Sequence, residues 1–217
     1  FNGDNFDHAG LGFISGGYLI AAQLGARPIQ FHPVPDGTPK WGTEWKRAVK
    51  QWYNRAFAVG THGAVMSYRG NYLDLDPTYK DAFGRPLLRL TFDYGENELR
   101  MSDHLTMQAE RIVKAMKPAH VSINKATRPY SIVPYQTTHN TGGAIMGSDP
   151  RTSAVNKYLQ SWDVPNVFVL GASAFPQNAG YNPTGTVGAL TYLAVDAIKS
   201  QYLKHPGPLV GTEARRR

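Results

Sequence analysis

The chain has 217 residues, 41% of them hydrophobic, carries a net charge of +7 and contains no cysteine. The length allows a sizeable core in one or two domains, and the missing cysteines exclude disulfides, thiolate metal sites and a cysteine nucleophile. Part of the positive excess sits in Arg215, Arg216 and Arg217, and no recognition motif accompanies it, so it reads as a solvated surface with a basic tail and not as a nucleic-acid interface. No run approaches the ~20 apolar residues that span a bilayer, and no signal-peptide pattern stands at the start. The 22 glycines and 15 prolines imply many turns, as in mixed α/β or α+β folds.

The opening, FNGDNFDHAGLGFISGGYLIAAQLGARPIQFHP, has no charge between His8 and Arg27 and has glycines at 10, 12, 16, 17 and 25. It predicts buried irregular backbone or close packing instead of a linker. Its GLGFISGG lacks a preceding strand and the G-x-G-x-x-G spacing of a phosphate loop. So apolar a beginning implies residues missing before Phe1. After a Pro-rich turn from Pro33 to Pro39, Thr43 is placed to cap a helix running to about Arg55. Trp45, Ala48, Val49 and Trp52 give it one apolar face, and the two tryptophans suit core packing better than sugar stacking.

Phe57 to Tyr68 reads as a strand interrupted by glycine, with His62 a partly buried polar residue and not a metal ligand. Asn71 to Pro77 reads as a strand end and turn, because Asp74 and Asp76 lack the glycine and distal Glu of a calcium loop. Gly84-Arg85-Pro86 is a turn, and Leu87 to Tyr94 alternates as a strand. Ser102 or Asp103 is placed to cap a helix through about Lys117, with Leu105, Ala109, Ile112, Val113 and Met116 as its buried stripe. Ala119 to Ile123 predicts a short strand, followed by polar, weakly structured residues to Ser131.

The chemistry concentrates between Tyr135 and Leu190, in YQTTHNTGG, VFVLGAS and YNPTGTVGAL. His139 lies in a loop before two glycines. An imidazole there suits proton transfer near neutral pH, although a lone loop histidine often only hydrogen-bonds. Asn166 to Leu170 predicts a short buried strand, and Gly171 lets backbone approach a ligand where that strand ends. Asn182 precedes Pro183 and reads as the N-cap of a helix to about Leu203. Such a helix start attracts an anion or an electron-rich ring. Val187, Leu190, Ala194 and Ile198 share one face, and the helix looks largely buried. His205-Pro206-Gly207-Pro208 ends regular structure ahead of a mobile tail.

The run HNTGG, NVFVLGASAFP and NPTGTVGAL resembles the C-terminal part of the glucose–methanol–choline (GMC) flavoprotein oxidoreductases. It is most like the branch of membrane-associated sugar-acid and polyol dehydrogenases of the gluconate 2-dehydrogenase type. The resemblance is strong over roughly the last third and looser elsewhere. It implies an α+β or α/β fold: an antiparallel-sheet substrate domain over 27–132, part of the FAD-binding domain over 133–203, a bridging segment at 1–26 and a basic tail at 204–217.

The resemblance further implies that FAD is the cofactor and that His139 is the base or hydrogen-bond partner of the substrate hydroxyl. Asn182 orients the same oxygen, Pro183 and Thr184 lie against the flavin ring, and Gly171 and Ala172 lie at the pyrophosphate. The implied reaction is oxidation of an alcohol group in a sugar acid, polyol or sugar. The implied partners are the missing N-terminal half, a small subunit and a cytochrome c subunit, on the periplasmic face of the inner membrane. The family's G-x-G-x-x-G flavin fingerprint is absent from these residues, so the chain is expected to be a fragment, inactive alone. The competing function is a non-catalytic binding or scaffold module that keeps the flavoprotein fold.

Overall fold

The computed structural model describes residues 10–24, 33–132 and 139–211. The first residues of the apolar opening, the Tyr135 end of the YQTTHNTGG run and the terminal arginines lie outside these. The chain forms two compact units, Phe1–Gly63 with Glu96–Thr127, and Ala64–Gly95 with Arg128–Arg217.

In the first unit, β1 (Gly17–Leu24) pairs antiparallel with β2 (Ala56–Gly63), from Gly17 opposite Gly63 to Leu24 opposite Ala56. β1 is a strand where irregular backbone was expected: GYLIAAQL has no polar alternation, and its pairing with β2 is a long-range contact. The 20-residue helix α2 (Glu96–Ala115) packs on both strands. A Cβ at Gly17 would lie 2.1 Å from the His62 carbonyl oxygen and 2.8 Å from Leu105 Cδ1, so glycine is what lets helix and strands approach here. Gly17→Ala is therefore expected to lower stability by about 3 kcal/mol, the upper end for overpacking. Gly70→Ala, with open space around its Cα, serves as the control in the same thermal melt; equal midpoints would contradict the reading.

Helix α2 starts before the expected caps, leaving Ser102 and Asp103 inside it. Its first turn is tied to the preceding glycine-rich segment. Asn97 Oδ1 accepts the Ile14 N–H at 2.8 Å, and Arg100 donates to the Gly12 carbonyl at 3.3 Å. Asp103 instead meets Lys125 at 3.1 Å on the surface. The buried positions are Glu98, Met101, Thr106 and Ala109, while Ile112 and Met116 are exposed because the helix extends beyond a sheet of two strands. His62 is exposed, and its Nδ1 lies 2.8 Å from the Tyr18 hydroxyl across the strands. The helix α1 (Gly42–Trp52) starts with Trp41 at the cap position, so Thr43 lies within its first turn and makes no cap bond. Trp45 and Trp52 are half-buried, and Trp52 meets the His120 ring edge-on at 5.0 Å. Ala119–Ile123 forms no strand: Val121 and Ile123 are exposed, with no strand to pair with among the described residues.

In the second unit, β3 (Tyr72–Lys80) and β4 (Pro86–Thr91) form an antiparallel ribbon. Residues 72–77, expected to close a strand, open this one. Asp81 closes the hairpin by accepting the Phe83 and Arg85 N–H groups at 2.8 and 2.9 Å. Asp74 pairs with Arg89 across the ribbon, and this partner holds its carboxyl below the ordinary value near 3.8. Asp76 accepts the Thr78 and Tyr79 N–H groups, so both acids have structural partners. Leu73, Leu75, Leu88 and Leu90 share the opposite face, by register and strand period, and all are exposed.

The core of this unit gathers Val155, Leu159, Ala174 and Ala194, flanked by Met146, Val169 and Leu190. The last two core positions belong to a single-turn 3-10 helix (Ala172–Ala174) and to α3 (Thr184–Ala197), which continues as a π-turn to Tyr202. Only one stripe of α3 is covered; Tyr192, Leu193 and Val195 are exposed, against the expectation of a largely buried helix. The expected strand at Asn166–Leu170 shrinks to one antiparallel bridge, Gln160 with Phe168, closed by a tight turn. Gln160 is 1% exposed and fully bonded. Its Nε2 donates to the Pro165 and Gly207 carbonyls, and its Oε1 accepts the Leu209 N–H at 2.8 Å. Residues 207–209, within the expected mobile tail, are thereby anchored.

Among the described residues the strands pair antiparallel, with α1 between β1 and β2 and the other helices after β4, an α+β arrangement. β3 and β4 fall in the unit that holds α3. No helix is long and apolar enough to cross a membrane, among the described residues.

Candidate active site

His139, Gly171, Ala172, Asn182, Pro183 and Thr184 all belong to the second unit. The segment after His139 lies along the segment after Gly171. Gly142 donates to the Ala172 carbonyl at 3.0 Å, Ala144 to Ser173 at 3.0 Å and Met146 to Ala174 at 2.8 Å. Gly142 and Gly143 both have positive φ, +84° and +100°, and a Cβ at Gly143 would meet Leu73 Cδ1 at 2.9 Å. Two glycines are thus what the HNTGG turn needs to lie flat against its neighbour.

His139 is half-buried, and its carbonyl accepts the Asn178 side-chain amide at 2.9 Å. Asn178 is itself fixed by a two-bond bridge to Val65, at 2.9 and 3.1 Å. Four residues later comes Asn182, so their Cα atoms are at most about 14 Å apart. The Tyr181 N–H to Ala179 carbonyl bond, 2.7 Å, folds this link more tightly. Asn178 and Val65 are functional-site neighbours that the sequence did not single out; the only signal was an Asn in the turn-like FPQNAG.

Asn182 is not the N-cap. Pro183 takes that position with helical dihedrals, φ −84° and ψ −8°, and its carbonyl accepts the Val187 N–H at 3.0 Å. The first intrahelical bond is thus accepted one residue later than expected, which sets the helix boundary there. Asn182 is exposed just ahead of it, and the helix start has neither a side-chain cap nor an acidic residue in its first turn. The positive end of the α3 dipole is therefore not neutralised by the chain's own first turn. Gly171 has φ +113° and nothing within 4 Å of where a Cβ would stand. An open glycine turn and an uncapped helix start fit a phosphate-bearing, planar cofactor such as FAD. No group of three or more His, Asp or Glu is arranged to hold a metal ion, among the described residues.

An α+β chain with a histidine three residues ahead of paired glycines and an uncapped Asn-Pro helix start fits the class of flavin-dependent oxidoreductases. The match of residues 67–191 to the family model "GMC oxidoreductase" establishes that the chain belongs to the GMC oxidoreductase family, whose members are FAD-dependent. It is 55% identical to the gluconate 2-dehydrogenase flavoprotein of Pantoea cypripedii over 97% of its own length and 34% of that protein. It is 28% identical to 2-methyl-1,2-propanediol dehydrogenase of Mycolicibacterium austroafricanum, over 88% of this chain and 34% of that one. Against the fructose dehydrogenase large subunit of Gluconobacter japonicus it is 35% identical, over 62% and 23%. The chain thus spans about a third of the length of the first two relatives.

Proposed function

We propose that the chain is the C-terminal part of an FAD-dependent dehydrogenase that oxidises an alcohol group of a gluconate-like sugar acid, or of a polyol or sugar. The observation that carries this reading is the pairing of Gly142–Met146 with Ala172–Ala174, which lays the stretch after His139 along the Gly171 turn. His139 takes the hydroxyl proton, and Asn182 donates a hydrogen bond to the same oxygen, holding the carbon–hydrogen bond in line for transfer. FAD, when bound, accepts the hydride. The main chain at Gly171 and Ala172 binds its pyrophosphate, and Pro183 and Thr184 border the ring. The positive end of α3 stabilises negative charge there.

The identity with a gluconate 2-dehydrogenase flavoprotein supports the sugar-acid substrate. The "large subunit" in the fructose enzyme's name supports a multi-subunit assembly. On this reading the partners are the N-terminal half of the same enzyme, a small subunit and a cytochrome c subunit, at the periplasmic face of the inner membrane. Residues 27–132 serve substrate binding and 133–203 serve FAD binding.

The test is an assay of the full-length, FAD-loaded protein with gluconate, other sugar acids and polyols, using a dye as electron acceptor. Dye reduction driven by a sugar acid is the expected result. A protein that holds FAD yet is reduced by none of these alcohols is a scaffold, and the enzymatic reading fails.

A further inference from the structure

The His139 carbonyl is held by the side chain of Asn178. Three observations meet there. Its side-chain Nδ2 donates to the His139 carbonyl at 2.9 Å, across 39 residues of sequence. Its main chain is locked to Val65 by the bonds Val65 N–H to Asn178 O, 2.9 Å, and Asn178 N–H to Val65 O, 3.1 Å. Its Oδ1 is buried and has no hydrogen-bond partner among the described residues. The amide orientation is not arbitrary: reversing it would set Oδ1 against the carbonyl of His139.

We infer that Asn178 is a positioning residue that sets the separation between His139 and Asn182, an inference resting on the roles proposed for those two. Its side chain fixes the first residue, and its main chain starts the four-residue link to the second. Movement of Asn178 therefore shifts both. The next tie on the His139 side is Gly142 to Ala172, three residues away, so the Asn178 amide holds the histidine peptide at a point that this pairing does not reach. A buried acceptor with no donor works against stability. Geometry at a site, more than stability, explains an amide placed at that cost.

The experiment uses the full-length, FAD-loaded enzyme and stopped-flow bleaching of the flavin by saturating substrate. Asn178→Ala is expected to slow this step about 10- to 100-fold, as small misplacements of a catalytic group do, with unchanged FAD content. A crystal structure of the variant is expected to show the His139 main chain displaced. Asn178→Asp supplies a second reading, because a neutral carboxyl can donate to the His139 carbonyl and a carboxylate cannot. Its rate relative to wild type is expected to recover as pH falls from 7.5 towards 5.

A wild-type rate in Asn178→Ala, or an Asn178→Asp ratio flat with pH, overturns the inference. If Asn178→Ala does not fold, the Asp variant decides alone. His139→Ala, run alongside, separates the layers: a slow His139→Ala with normal Asn178 variants removes only the positioning role. A normal His139→Ala removes the base assignment and this inference together.

Discussion

In the full-length, FAD-loaded enzyme, His139→Ala is expected to slow reduction of the flavin by substrate about 100- to 10,000-fold, the span of general acid–base catalysis. The alcohol proton has to leave as the carbon–hydrogen bond breaks, and alanine offers no acceptor at that place. FAD content should hold, since main-chain bonds at Gly142, Ala144 and Met146 pair this loop with its neighbour. Asn182→Ala should lose less, about 100-fold, because it removes one hydrogen bond to the reacting oxygen and leaves the base. The double variant should fall short of the product of the two losses, as for groups acting as a unit. Stopped-flow bleaching with a sugar acid measures all three. A His139→Ala enzyme that bleaches within tenfold of wild type would remove the histidine from the mechanism.

The 217-residue chain by itself is expected to purify colourless and to be inactive, the largest effect of all. It has no G-x-G-x-x-G run, the device by which backbone approaches a dinucleotide pyrophosphate at a helix start. The open turn at Gly171 and the uncapped start of α3 offer only part of a cofactor cradle. The ribbon of β3 and β4 also leaves Leu73, Leu75, Leu88 and Leu90 in water. Intact mass and a visible absorption spectrum of the same sample decide the matter. One equivalent of FAD in a preparation containing only this chain would overturn the expectation.

The candidate site residues come from local pattern, and much of the fold does not. His139 and Asn182 stand out as candidates because scarce side-chain chemistry lies near glycine or proline, whose backbone effects are local. The strand at 17–24 was missed because GYLIAAQL shows no alternation, and only β2, more than 30 residues away, makes it a strand. The start of α2 was misplaced for a related reason: Ser102 and Asp103 are good capping residues. The turn that begins the helix is instead stabilised by Asn97 and Arg100 reaching back to residues 12–14. Helix faces were over-assigned to the core at Ile112 and Met116, since periodicity reports which face is apolar and not how far neighbours extend over it. Asn178 was invisible, because a side chain that joins segments 39 residues apart leaves no local pattern.

The amide of Gln160 has a practical consequence for shortening the protein. Truncation after Leu209 keeps every one of its partners, so the core around Leu159 stays closed. Truncation before Gly207 removes the partner of one Gln160 N–H and leaves its Oε1 with only the 3.3 Å Asn156 amide, at a side chain inside that core. The last useful residue of this polypeptide is therefore set by one glutamine far upstream, not by where helix α3 ends.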